Sequence, residues 1–284
     1  MSQQQRPVIE HVGVIYRERS EDAAALAQAL VTRLRHSRKQ AWRIERTDED
    51  AIQERLAETQ VTLVLGGDGT ILSVARLCAP LGIPILGVNF GRVGFLTELE
   101  PAEVEEKLPL YLAGEYWLDE RSMLQAEIGA NGGYKRYIAL NDIVLVRGAE
   151  PRVVRIAVWV DGHHYNTTVA DGIIVSTATG STAYNLAAGG PILHPQVRSA
   201  VLTPIAPHLA ADRSLILEPN AVITLDIEEN SAAAVLSADG QLNCDIAPGT
   251  QVTVRSNAHM TTFLRRRPPT YFYRVLAAKL RDNL

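Results

Sequence analysis

The sequence predicts an α/β domain built on a doubly wound parallel sheet, joined to a mostly β domain of sandwich-like character. Three observations carry that prediction. Over the first hundred residues apolar strand-like runs alternate with amphipathic helical periods, the order of a parallel sheet covered by helices. From Trp117 onward, short strand-like runs follow one another at glycine-rich turns. The chain of 284 residues is 46% hydrophobic and 21% charged, which suits two cored domains and argues against disorder.

The elements follow in order. His11–Tyr16 (HVGVIY) reads as a short apolar strand. Ser20 is a good N-cap, Glu21 and Asp22 suit a first turn, and Leu26, Leu30 and Leu34 form a helical stripe. A second cycle runs through Trp42–Glu45 and a short helix containing Ile52 and Leu56. Val61–Leu65 (VTLVL) is continuous and β-branched, as expected of a parallel strand buried on both faces. After the glycines of 66–69, Ile71, Val74 and Ala75 restart a helix, and Ile83–Val88 is the next strand, which makes the domain Rossmann-like. A helix begins near Pro101. Strands are then expected at Leu124–Ile128, Ile138–Val146, Val153–Val160, Gly172–Ser176, Val222–Ile227 and Val252–Arg255, with turns at Asn131-Gly132-Gly133, Asp161-Gly162 and Asp171-Gly172. Tyr271–Leu284 is helical again and is expected to return to the first domain. The expected division is therefore 1–100 with 268–284, and 101–267.

Charge and cysteines narrow the function classes. Lys and Arg number 28 against 32 for Asp and Glu, a net charge of −4, which excludes a globally basic nucleic-acid binder. Cys78 and Cys244 form neither a disulfide framework nor a C-x-x-C pair, so a reducing compartment fits. The start MSQQQRPVIEHVGV lacks the apolar segment of a secretory signal, and no run approaches the ~18 apolar residues of a membrane helix. A cytoplasmic protein with no membrane partner is expected.

Three segments carry chemistry. Gly66-Gly67-Asp68-Gly69-Thr70 lies between a buried strand and a helix start, where backbone amides favour phosphate. Asp68 does not suit a pure phosphate cradle; it suits a general base on a hydroxyl or a Mg²⁺-related role, or else an Asx-turn. The second loop, Gly87-Val88-Asn89-Phe90-Gly91-Arg92-Val93-Gly94-Phe95-Leu96, follows the next strand, and Asn89 offers a donor and an acceptor to a nucleotide. The third, Thr177-Ala178-Thr179-Gly180-Ser181-Thr182-Ala183-Tyr184 with Ala187-Ala188-Gly189-Gly190-Pro191, is dense in hydroxyls that bind phosphate or ribose without adding charge. Composition alone favours a Ser/Thr-rich surface loop. Other features carry a plainer reading: His163-His164 a hairpin tip, Arg265-Arg266-Arg267 a solvated face, Cys78 core packing, and Asp239-Gly240-Gln241 a hairpin turn.

GGDGT, GVNFGRVGFL, LNDIVL and TATGSTAYNLAAGGPIL, in this order, resemble the NAD kinase family over essentially the whole chain. GGDGT alone also resembles loops of diacylglycerol and sphingosine kinases and of phosphofructokinases; GSTAY with its downstream GGPI is the more particular signature. The resemblance implies an enzyme that phosphorylates the 2′-hydroxyl of the adenosine ribose of NAD⁺ with ATP and Mg²⁺ or another divalent metal, as a homodimer or homotetramer. It implies Asp68 as proton acceptor and Gly69 beside the dinucleotide. Asn141-Asp142, Asp171, Thr182, Ala183, Tyr184 and Ala187 match its NAD-binding positions, and Arg152, Ala206 and Gln241 fall where members also contact substrate. Gly66, Gly67, Thr70 and Asn89 remain the phosphate and ATP candidates, and no side-chain metal ligand is implied. Ala178, Ala187 and Val169 stand where members often carry Pro, Ser and a basic residue. The competing readings are a lipid kinase, which would need an apolar docking patch, and a nucleotide-sensing module, which would have little use for Asp68.

Overall fold

The computed structural model describes residues 8–92, 94–130, 133–148, 152–208 and 213–282, so the Asn131-Gly132 turn signal and Val93 lie outside the described residues. The chain divides into two units, residues 1–120 with 261–284, and residues 121–260.

The first unit begins β1 (His11–Tyr16), α1 (Glu21–His36), β2 (Gln40–Glu45), α2 (Glu49–Leu56), β3 (Val61–Gly66), α3 (Asp68–Cys78) and β4 (Ile85–Asn89). Ser20 caps α1 by accepting the Ala23 N–H, and Asp48 caps α2 through Ala51, as short polar side chains do at helix starts. Every residue of β3 is buried, which explains its unbroken apolar run, and burying Leu63 or Leu65 stabilises the unit by roughly 1.5–3 kcal/mol each. The β1, β2, β3 and β4 pairings are all parallel. Then come α4 (Pro101–Leu112) and β5 (Trp117–Arg121). Val104, Leu108, Tyr111 and Leu112 of α4 join the core formed by Val14, Leu63, Leu65 and Leu86. For that reason the first unit extends to residue 120, about twenty residues past the expected boundary.

The second unit holds β6 (Leu124–Ala130), β7 (Gly133–Ala139), β8 (Asp142–Arg147), β9 (Val154–Val160), β10 (His163–Ala170), β11 (Gly172–Ser176), the short α5 (Tyr184–Ala187), β12 (Val201–Ile205), β13 (Leu215–Ile216), β14 (Ile223–Ile227), β15 (Ala234–Ala238), β16 (Leu242–Ile246) and β17 (Gln251–Ser256). They form two antiparallel sheets, β10-β9-β14-β17-β6-β7 and β13-β12-β11-β8-β15-β16. Ala126, Ile156, Val158, Leu225 and Val254 of one sheet share a core with Leu145, Ile173, Val175, Leu202 and Leu236 of the other, which is sandwich packing. The single strand expected over Ile138–Val146 is two strands in different sheets, β7 and β8, with Leu140-Asn141 at the crossing. Apolar side chains on both sides of the break hide it from any periodicity. His163 and His164 follow the Asp161-Gly162 turn, exposed as a hairpin tip.

The chain then returns to the first unit with β18 (Thr261–Arg265) and α6 (Tyr271–Asp282). β18 lies beside β4 in parallel, giving the sheet order β2-β1-β3-β4-β18-β5. The Arg265-Arg266-Arg267 run is therefore no solvated face at its first residue: Arg265 is buried. Its guanidinium meets Asp119 at 3.3 Å, Glu98 at 3.4 Å and the carbonyls of Leu96 and Thr97 at 3.0 and 3.1 Å. Glu98 in turn accepts the Tyr111 hydroxyl and the Arg266 and Arg267 N–H groups, so the buried charges are fully partnered. Cys78 is buried, as expected, and burial pushes its thiol up to about 12.

Candidate functional site

In the first unit the candidates gather at the carboxyl ends of β3 and β4. Gly66 and Asn89 are register partners, and the Phe90 N–H donates to the Gly66 carbonyl at 3.1 Å. Gly66 cannot be larger, because an added Cβ would meet the Thr70 side chain at 2.4 Å. Gly67 is the N-cap of α3 and Asp68 its first residue, so the carboxylate stands at the positive end of the helix. The second loop holds it there: the Phe95 N–H donates to Oδ2 at 3.0 Å and the Leu96 N–H to Oδ1 at 3.2 Å. Gly94 makes room, since a Cβ at that position would lie 2.0 Å from Oδ1. The same short stretch is gripped from its carbonyl side by Arg265, which takes the Phe95, Leu96 and Thr97 oxygens. Neither Arg265 nor these amides was among the sequence candidates.

Two phosphate candidates also make bonds within the protein. The Thr70 N–H donates to the Gly67 carbonyl at 3.0 Å, so this amide is engaged inside the helix start. Asn89 is buried and gives its amide N–H₂ to the Glu100 carboxylate at 3.1 and 3.3 Å, while its Oδ1 has no partner. Its donor side is thus committed to Glu100, and its acceptor is buried.

In the second unit the sheet crossing brings one group of candidates together. Asn141 and Asp142 end the crossing, and the Thr177 N–H donates to the Asn141 carbonyl at 2.8 Å. The Thr177 hydroxyl bridges the Leu140 carbonyl at 2.6 Å and the Gly180 N–H at 3.0 Å. Gly180 packs directly on this backbone: a Cβ there would lie 2.1 Å from the Asn141 oxygen. Thr182, Ala183, Tyr184 and Ala187 follow on the same turn, with Tyr184 exposed. Asn185, fully buried, ties the segment down through the Ser181 and Pro191 carbonyls and the Thr203 hydroxyl. Gln241 closes the hairpin after Asp239, whose carboxylate bonds the same crossing. Asp142 is buried, and its carboxyl is pushed up to about 7, first by burial and then by the nearby Asp239 charge.

Asp171 and Ala206 form a separate group. They sit at the opposite end of β11, where Gly172 pairs with Ile205 and Val146, while Ser176 at the far end pairs with Asp142. Asp171 is ion-paired with Arg147 at 3.1 Å, and Ala206 is exposed with φ +45°. Arg152 is exposed ahead of β9, apart from both groups along the chain.

Comparison with known proteins is consistent across three lines. Residues 11–116 match the ATP-NAD kinase N-terminal domain and residues 140–266 the ATP-NAD kinase C-terminal domain. An NAD kinase of Dehalococcoides mccartyi is 39% identical over 274 residues, 96% of either chain, and one of Chloroflexus aurantiacus is 39% identical over 97% of this chain and 100% of its own. Yeast NADH kinase complexed with NADH shares the fold, with a TM-score of 0.78 at 23% identity over 91% of this chain and 84% of its own. An NAD kinase from Archaeoglobus fulgidus in complex with ATP superposes with a TM-score of 0.75 at 25% identity over 95% of this chain and 98% of its own. With both of its domains matched and such relatives spanning nearly its full length, the chain belongs to the NAD kinase family.

Proposed function

We propose that Asp68 is the proton acceptor in the ATP-dependent phosphorylation of NAD⁺, acting on the 2′-hydroxyl of the adenosine ribose to give NADP⁺. One observation carries the assignment: each carboxylate oxygen is held by one backbone N–H, at 3.0 and 3.2 Å, and keeps lone-pair capacity for a hydroxyl. As the bond from the ribose oxygen to the γ-phosphorus forms, the bond from that phosphorus to the β,γ-bridging oxygen breaks. The hydroxyl proton passes to Asp68 and ADP leaves. The divalent ion, Mg²⁺ in this reading, enters with the ATP whose phosphates it bridges.

Gly66, Gly67 and the first amides of α3 hold the ATP phosphates, and Gly69 lies beside the dinucleotide. Asn141, Asp142, Thr182, Ala183, Tyr184, Ala187 and Gln241 bind NAD⁺; the buried Asp142 and the exposed Tyr184 ring give this group a polar anchor and an aromatic platform. Asp171, Ala206 and Arg152 serve as further NAD⁺ contacts. Because Asp171 and Ala206 sit at the other end of β11, a homodimer or homotetramer in which they complete the site of another copy accounts for both groups. No described helix is long and apolar enough to cross a membrane, and the free thiols of Cys78 and Cys244 suit the cytoplasm.

Family membership removes the lipid-kinase reading, and a turnover assay separates a kinase from a sensing module. Purified chain supplied with ATP, Mg²⁺ and NAD⁺ is expected to produce NADP⁺, read through an NADP⁺-specific dehydrogenase. Asp68→Asn is expected to keep its circular dichroism and lose about 10²–10⁴-fold in kcat. Near-normal turnover in that variant would overturn the base assignment.

A further inference from the structure

Asp239 begins the turn between β15 and β16, with φ +53°, followed by Gly240 at +66°. An aspartate at such a turn ordinarily bonds its own backbone two residues on. This one reaches much farther. Oδ2 accepts the Leu140 N–H at 3.0 Å, and Oδ1 accepts the Asn141 N–H at 2.7 Å and the Asp142 N–H at 3.3 Å. The Asp239 N–H returns a bond to the Asp142 carbonyl at 3.0 Å. Three successive amides thus converge on one buried carboxylate, a backbone nest filled by the protein's own side chain.

We propose that Asp239 is a positioning residue for dinucleotide binding: it fixes the Asn141-Asp142 pair through the backbone, at the point where the chain passes from one sheet to the other. The inference rests on the reading of Asn141 and Asp142 as NAD⁺-binding residues. Two facts separate it from a merely structural hairpin contact. The crossing Leu140-Asn141 belongs to neither strand, so no sheet ladder sets its conformation. The arrangement also places a second carboxylate beside buried Asp142, an electrostatic cost that an uncharged turn residue would not incur. The groups paired with Asp142 on β11 are uncharged, Ser176 and the following Thr177, whereas the β15 side brings the Asp239 carboxylate. The Asp239 charge therefore adds to burial in holding the Asp142 carboxyl above its ordinary value.

The test uses the full chain and steady-state kinetics between pH 5.5 and 8.5. Asp239→Asn retains the size but turns an amide N–H₂ toward backbone donors. It is expected to raise KM for NAD⁺ by about tenfold, the loss of a charge-assisted hydrogen bond, while KM for ATP stays within about twofold. Removing the Asp239 charge lowers the Asp142 pKa, so the pH at which KM for NAD⁺ changes moves down by about one unit. A parallel rise of both KM values, or no movement of the pH break, overturns the inference. Asp142→Ala separates it from the reading beneath it. If that variant binds NAD⁺ normally, the assignment of the Asn141-Asp142 pair fails; if it is impaired and Asp239→Asn is not, only the positioning role fails. Should Asp239→Asn not fold, Gly240→Ala strains the same turn at φ +66°, and an unchanged KM for NAD⁺ there also overturns the inference.

Discussion

Gly94→Ala should silence the enzyme while leaving the fold almost untouched. A Cβ at this position would stand 2.0 Å from Oδ1, 2.5 Å from Cγ and 2.7 Å from Oδ2 of Asp68, against an ordinary contact of 3.4 Å or more. The carboxylate must therefore withdraw by more than 1 Å, which breaks the bonds of 3.0 and 3.2 Å from Phe95 and Leu96. A displacement of that size at a reacting group costs about 100-fold in kcat, and KM values should stay within about threefold. Stability changes little: alanine lowers the entropy of the unfolded chain by about 0.4–1 kcal/mol, and water can replace lost bonds at the half-buried Asp68. The assay is NADP⁺ formation beside a thermal melt. Gly91→Ala is the control, because a Cβ there meets nothing within 4 Å. Gly94→Ala turning over within threefold of wild type, or Gly91→Ala failing as badly, would refute the reasoning.

Two further outcomes concern stability. Arg265→Met removes the buried cation shared by the Glu98 and Asp119 carboxylates, so it should cost about 3–5 kcal/mol and lower the melting temperature by on the order of 10 °C; Arg265→Lys keeps the charge but loses the fork and should fall between. Hydrogen bonding from Arg46, aided by its charge, holds the Glu18 carboxyl at about 2 against an ordinary 4.5. The folded-state value is depressed, so this pair's contribution is present above pH 4.5 and is lost as pH falls toward 2. Arg46→Ala should flatten the acid-unfolding curve in that window alone, and an unchanged curve would show that the pair contributes nothing.

The α/β half was legible because its signals are local. The buried run of β3 and the glycines after it are contiguous in sequence, and so are the capped starts of α1 and α2. Alternation disclosed β6, β9, β11, β14 and β17 but not β10, β12, β13, β15 or β16, and it could not disclose that Ile138–Val146 changes sheets, since both halves bury apolar side chains. The arginine at 265 looked solvated because its partners Glu98 and Asp119 lie 167 and 146 residues away. Asp239 showed the signature of a turn, which it is, while the backbone it grips lies 97 to 99 residues earlier. GGDGT placed Asp68 at a helix start, but the amides that hold its carboxylate belong to Phe95 and Leu96, residues with no chemical signature of their own.

The late strand β18 has a consequence for biosynthesis. On the ribosome the first unit emerges with a vacancy beside β4, and with Glu98 lacking its cation, until the whole second unit has been made. The amino-terminal unit is thus completed last, against the usual order of vectorial folding. Nascent chains stalled before Thr261 should expose the loop of Asp68 to protease, and those stalled well beyond Arg267 should protect it. A point of quality control follows: a product truncated before Arg265 lacks the guanidinium that grips the Phe95–Thr97 backbone, and its loop around Asp68 is expected to stay unassembled.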